Sequence, residues 1–203
     1  MHKIAPADSV ERLQYFLPEF DLQLNFHPMD FTQINAGINR KIISQALTLL
    51  ELNDEDTVLD LFCGLGNFTL ATARVAKKVV GVEGSEEMVL RGSENAALNG
   101  LDNVEFFAAD LFQPIAEKEW AKLKYSKIIL DPPRSGAVEI IPEIAKLGAR
   151  TIVYISCNPA TLARDTAELI KAGYRLRTAG VMDMFPHTTH VESMAVFDAG
   201  KGI

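Results

Sequence analysis

Hydrophobic and polar positions along this chain change period twice. Leu22, Leu24 and Phe26 alternate with Gln23 and Asn25, a period of two that predicts a strand, bracketed by Pro18 and Pro28. From about Gln33 the spacing turns helical, with Ile38, Ile42, Ile43, Ala46, Leu47 and Leu50 on one face of an amphipathic helix. Beyond it, short unbroken apolar runs take turns with helical stretches. Strands are predicted at residues 58–61, 78–83, 104–109, 127–131 and 151–156, and helices at 71–76, 86–98 and 159–171. Asn99-Gly100 and Gly173 supply helix stops. Two late strands follow, around 174–181 and 190–197. Strands that are apolar throughout, separated by helices, need cover on both faces. The expected fold is therefore α/β: a Rossmann-like, doubly wound, mostly parallel sheet over residues 31–203. Residues 1–30 read as a short N-terminal β appendage, the remnant of a preceding domain.

Composition narrows the class. At 203 residues, 48% apolar and 23% charged, the chain is an ordinary globule that needs neither disulfides nor a structural metal to build a core. No run approaches the roughly 18 apolar residues of a membrane span, and the first residues lack a signal peptide's apolar core. Cys63 and Cys157 lie far apart in different contexts, which suits reduced thiols in a cytoplasmic protein. A net charge of −7 argues against a strong, non-specific grip on nucleic acid. No oligomer interface is legible, and a monomer is expected.

Candidate chemistry collects at the strand ends. The first strand of the main domain runs into Asp60-Leu61-Phe62-Cys63-Gly64-Leu65-Gly66-Asn67-Phe68-Thr69. Gly64 and Gly66 let the backbone turn tightly and approach a ligand, or serve only a tight strand-to-helix turn. The third glycine of a dinucleotide fingerprint is absent, and Thr69 stands in its place. Glu83 ends the next strand 19 residues after Gly64, a spacing suited to ribose hydroxyls. An acid in the first strand and no diphosphate-binding glycine favour S-adenosylmethionine over a dinucleotide. Asp110 either reaches the adenine amino group or caps the next turn. The fourth strand ends Asp131-Pro132-Pro133-Arg134, whose prolines force an extended, rigid exit. Cys157 ends the fifth strand just before a helix whose positive end favours a thiolate. Glu192 opens an otherwise apolar strand and would take a proton if partly desolvated. His187 and His190 lack a third ligand nearby, so no metal site is expected.

With these residues in view, the chain resembles the catalytic domain of the RNA uracil-5-methyltransferases, and among them the bacterial 23S ribosomal RNA branch. The segments 31–35, 59–69, 81–84, 130–136, 153–165 and 183–194 carry the likeness, with Ser156-Cys157-Asn158-Pro159 and Asp183-Met184-Phe185-Pro186-His187-Thr188 the most specific. The resemblance implies that Gln33, Phe62, Asn67, Glu83, Asp110 and Asp131 line the methyl-donor site, that Cys157 is the nucleophile toward carbon-6 of uracil, and that Glu192 is the base. It also implies a flipped or single-stranded uridine as target. Cytosine-directed relatives carry a cysteine after the fourth-strand proline, where this chain has none. Full-length members add an N-terminal RNA-binding barrel and a middle region, and in many of them four cysteines hold an iron–sulfur cluster. Those ligands are missing here. The expectation is thus a catalytic domain, excised or naturally short, that transfers methyl groups to 23S ribosomal RNA. The alternatives are a donor-binding fragment with little turnover, or an enzyme for another RNA, a transfer RNA uridine or a cytosine.

Overall fold

The structure is a computed structural model that describes residues 12–33, 35–184, 186–188 and 191–200. Strands β1 (Leu13–Leu17) and β2 (Leu22–Phe26) form an antiparallel hairpin. Helix α1 (Ala36–Leu50) follows, with the Asn35 side chain accepting from the Ile38 amide as its N-cap. The chain then runs β3 (Thr57–Leu61), α2 (Asn67–Ala73), β4 (Lys78–Glu83), α3 (Glu86–Leu98), β5 (Val104–Ala108), β6 (Lys127–Leu130), α4 (Ile141–Ala145), β7 (Thr151–Ser156), α5 (Pro159–Lys171), β8 (Tyr174–Met182) and β9 (Glu192–Ala199). His190, expected to open the last strand, lies outside the described residues.

Seven strands make one sheet in the order β5-β4-β3-β6-β7-β9-β8, in which β9 alone runs opposite to the other six. The expected doubly wound, mostly parallel α/β sheet is the one observed. Side chains alternate across it. Ile129, Val153 and Ile155 join α1, α2 and the hairpin on one face, while Ile128, Leu130, Ile152 and Tyr154 meet α5 and Trp120 on the other. Strand order reverses between β3 and β6, and the carboxyl ends of strands beside such a reversal form a crevice. No helix among the described residues is long and apolar enough to cross a membrane.

The hairpin packs into the same apolar cluster as α1 and α2, through Leu17, Leu22 and Leu24. Its open edge is covered by two side-chain amides, Asn95 of α3 and Asn99 at the C-cap of that helix. Asn95 accepts from the Asn25 amide (2.8 Å) and donates to its carbonyl (3.1 Å), and Asn99 does the same for Gln23 (2.9 and 2.7 Å). Backbone groups that would otherwise be left at a strand edge are thereby satisfied.

The sheet face beneath α2 and α3 is packed tightly around Phe106. A Cβ placed on Gly81 of β4 or Gly92 of α3 would come within 2.8 and 2.7 Å of that ring. Alanine in a helix normally gains about 1 kcal/mol over glycine. Here the sign reverses: Gly92→Ala is expected to destabilise the fold by about 1–3 kcal/mol through overpacking, read as a lower urea midpoint with an unchanged slope.

Candidate active site

The turn after β3 is strained where it meets the crevice. Phe62 sits at φ 63, a left-handed conformation that a bulky side chain rarely adopts, followed by Gly64 at φ 55 and Gly66 at φ 97. The Phe62 ring is held out of the sheet and tilts against Phe112, with centroids 5.9 Å apart. Beneath the turn, the fully buried Asp60 accepts a hydrogen bond from Thr69 at 2.6 Å. That contact explains a threonine where a dinucleotide fold would carry glycine. Burial pushes the Asp60 carboxyl up to about 7, against the hydrogen bond from Thr69.

Glu83, at the end of β4, bridges two loops by accepting from the Gly64 amide and the Ser85 amide, each at 3.1 Å. Asp110 follows β5 and accepts from the Phe112 amide at 2.9 Å. It therefore caps its turn, one of the two expectations for it, and also lines the crevice. Asn67 at the start of α2 exchanges hydrogen bonds with Asn39 (3.0 and 2.9 Å) and accepts from the Tyr15 hydroxyl at 2.9 Å. Tyr15 was invisible to sequence reasoning. It belongs to β1, whose Leu-Gln-Tyr-Phe-Leu run shows no clean alternation.

The register of the last strands brings two more groups together. Ser156 of β7 pairs with Ser193 of β9, so Cys157 and Glu192 occupy the next opposed positions. Asn158 accepts from the Ala160 amide at 3.1 Å and caps α5, with Pro159 in the first helical turn. This local geometry turns the chain sharply after Cys157 and leaves the thiol half-buried at the sheet edge.

All these strand ends open on one cavity of about 970 Å³. Gln33, Phe62, Gly64, Asn67, Glu83, Asp110, Asp131, Cys157 and Glu192 all line it. Gly66 does not. A Cβ there would lie 3.1 Å from Leu70 and from Phe106, so the turn and its packing call for glycine here. The volume is at the upper end for a small-molecule site, enough for a nucleoside-sized donor and a planar acceptor side by side.

Electrostatically the cavity is acidic. Asp30, Glu83, Glu87, Asp110, Asp131 and Glu192 line it, against Arg134 as the one cation among the described lining residues. A cationic ligand fits such a lining better than a phosphate does. Burial pushes Glu192 up to about 7, and burial with Glu192 and Asp60 nearby holds Asp131 well above the carboxylate range. For Cys157 the sequence pointed to thiolate stabilisation by the start of α5. Burial, Glu192 and Asp131 instead push the thiol up, and Arg134 opposes them. Desolvation and two carboxyls outweigh a helix end whose influence fades within a turn. Among the described residues no cluster of three or more His, Cys, Asp or Glu is arranged to hold a metal.

Comparison with known proteins agrees with this geometry. The family described as tRNA (uracil-5-)-methyltransferase matches residues 19–199. The chain is 57% identical over 201 residues to the 23S rRNA (uracil(1939)-C(5))-methyltransferase RlmD of Alcanivorax borkumensis, covering 99% of this chain and 45% of that protein. It is 58% identical over 200 residues to RlmD of Hahella chejuensis, again covering 45% of the relative. The chain thus spans less than half the length of the curated relatives it matches. Among solved structures, the tRNA (uracil-54, C5)-methyltransferase of Pyrococcus abyssi, in complex with S-adenosyl-L-homocysteine, superposes with a TM-score of 0.78 at 29% identity. That match covers 93% of this chain and 44% of the other.

Proposed function

Because the chain belongs to the tRNA (uracil-5-)-methyltransferase family, we propose that it transfers a methyl group from S-adenosylmethionine to carbon-5 of a uridine in 23S ribosomal RNA. The observation that carries this reading is the opposed pair Cys157 and Glu192 at the edge of an acidic cavity. S-adenosylmethionine supplies an electrophilic methyl carbon on a sulfonium cation, and the carboxylate-rich lining suits that charge. Glu83 would take the ribose hydroxyls and Asp110 the adenine, with Gln33, Phe62, Asn67 and Asp131 completing the donor side. Gly64 gives the backbone its close approach, and Gly66 shapes the turn.

Carbon-5 of uracil is a poor nucleophile. The Cys157 thiolate adds to carbon-6, and the ring's electron pair moves toward carbon-5 as an enolate. Carbon-5 then forms its bond to the methyl carbon held in line with it, as the methyl–sulfonium bond breaks and neutral S-adenosylhomocysteine leaves with the electron pair on sulfur. Glu192 removes the carbon-5 proton, the carbon–sulfur bond breaks, and the Cys157 thiolate leaves. The target base must leave its stack to enter the cavity. Met29, Phe31 and Phe112 line the cavity yet remain exposed, giving its opening an apolar rim that suits an unstacked base.

Nucleoside mass spectrometry after incubation with S-adenosylmethionine and a 23S fragment tests the assignment. The expected product is 5-methyluridine, and 5-methylcytidine would overturn it. A second reading is favoured by one observation, that the match covers only 45% of the relatives. On that reading the chain binds the donor but needs the relatives' additional length to recruit RNA. Calorimetry with S-adenosylhomocysteine alongside the methylation assay separates the two, since binding without product supports the second.

A further inference from the structure

The turn after β6 is held by a buried carboxylate that the proposed reaction does not use. Asp165 of α5 is fully buried. Its Oδ2 accepts from the Ala137 amide and from the Tyr154 hydroxyl of β7, both at 2.6 Å, and its Oδ1 accepts from Arg164 Nε at 2.8 Å. Arg164 also donates to the Ser135 carbonyl at 2.7 Å, and Asn158 Nδ2 donates to the Arg134 carbonyl at 3.1 Å. The turn has no slack: Gly136 sits at φ +84, and a Cβ there would lie 2.5 Å from both Asp165 Oδ2 and Arg164 Nη2. One carboxylate therefore gathers β7, α5 and the turn. Cys157 lies in sequence between Tyr154 and Asn158, two of the residues that make these bonds.

A buried ion pair is a weak way to gain stability, because desolvation offsets most of the attraction. What several directed donors on one carboxylate supply is a fixed geometry. The part whose geometry is fixed carries Arg134, and Arg134 is the charge that draws the Cys157 thiol toward ionisation. Burial, Glu192 from β9 and Asp131 from the end of β6 all act the other way. Coulomb attraction falls with distance, so a loosened turn weakens the pull of Arg134, the one side-chain charge that opposes them. Arg164 itself is held by Asp165 and also feels Glu139 and Tyr154.

We propose that Asp165 is a positioning residue: by tying the 134–137 turn to β7 and α5, it keeps Arg134 at a set spacing from the Cys157 thiol. The inference rests on reading Cys157 as the reactive group of the site. It does not need RNA or a methyl donor to be tested.

Alkylation of Cys157 by iodoacetamide is followed by peptide mass spectrometry, which counts Cys63 separately, between about pH 6 and 10. Asp165→Asn and Arg164→Ala are each expected to slow alkylation near neutral pH by about three- to tenfold and to move the midpoint of the profile upward. Affinity for S-adenosylhomocysteine should change by less than about twofold, since neither Asp165 nor Arg164 lines the cavity and most donor-side groups lie away from the 134–137 turn. Arg164→Lys, which keeps a charge and a donor, should recover most of the rate. Should Asp165→Asn fail to fold, Arg164→Ala carries the test, because that side chain is 44% exposed. A lower melting temperature with an unchanged alkylation profile in Arg164→Ala would overturn the proposal and leave Asp165 a packing residue. Failure of the proposed function looks different: no 5-methyluridine would form, or methyl transfer would survive Cys157→Ala, and the alkylation profiles of the clamp variants would stand as measured.

Discussion

Cys157→Ala is expected to abolish methyl transfer and covalent capture of RNA together, with a rate loss of at least about 10⁴-fold. Without a nucleophile at carbon-6, carbon-5 never becomes reactive enough to take the methyl group, so no amount of correct positioning rescues turnover. The second thiol of the cavity cannot substitute. Cys63 is buried behind the glycine turn, and burial with Asp60 and Glu83 beside it holds that thiol far from ionisation. The donor side should survive the change. Glu83 and Gly64 stand on β4 and β3, across the switch point from β7, and their mutual hydrogen bond does not involve Cys157. Calorimetry is therefore expected to give S-adenosylhomocysteine affinity within about twofold of wild type. Gel-shift on RNA carrying 5-fluorouridine should lose its denaturation-resistant band. Methylation that persists in Cys157→Ala would remove the covalent mechanism outright.

Much of this site was legible because its residues sit where apolar runs stop. Buried parallel strands are continuous in Val, Ile and Leu, so their ends are sharp, and the ends are where a doubly wound sheet keeps its ligands. Glu83, Asp110, Asp131 and Cys157 were found that way and all line one cavity. Tertiary contact decided the features that stayed hidden. The hairpin strand β1 does not alternate in sequence, because the apolar Phe16 is exposed on the face opposite to buried Leu17 and to Tyr15, which turns toward Asn67. Helix α4 is five residues long with a proline in its first turn, too short for a period to show. Helix α2 ends at Ala73, earlier than the apolar spacing through Ala76 suggested, and Val75 is left exposed. The left-handed Phe62 has no sequence signature, since strain is tolerated only where surrounding packing imposes it. Gly66 carries a demand the sequence does not display, since a Cβ there would crowd Leu70 and Phe106. The Cys157 environment also had to be seen, because a helix start is written in sequence whereas two carboxyls from other strands are not.

Glu192→Gln should separate the two halves of the proposed reaction and reverse sign between activity and stability. Addition and methyl transfer precede proton removal, so the variant is expected to accumulate a methylated RNA–protein adduct and release product about 10²- to 10⁴-fold more slowly. Free, fully turned-over product at the wild-type rate would reassign the base. The wild-type rate should rise with pH through about 7, where Glu192 ionises, and Glu192→Gln should lose that limb. Stability runs the other way. Burial raises the folded-state affinity of Glu192 for its proton, so its contribution is fully present below the unfolded value near 4.5 and is lost as pH climbs to about 7. A neutral glutamine carries no such loss. Above neutrality the variant should be more stable than wild type by up to roughly 2–3 kcal/mol, and at pH about 4 the gain should vanish. Urea unfolding at both pH values measures it. Asp60 is raised in the wild type and the variant alike, whereas Asp131 loses the push from Glu192 in the variant, so the difference between the two proteins reports the carboxyl at 192 together with its effect on Asp131. Equal stability at high pH would mean that the buried acid is not held against ionisation, and the argument that tunes it as a base near neutrality would fall with it.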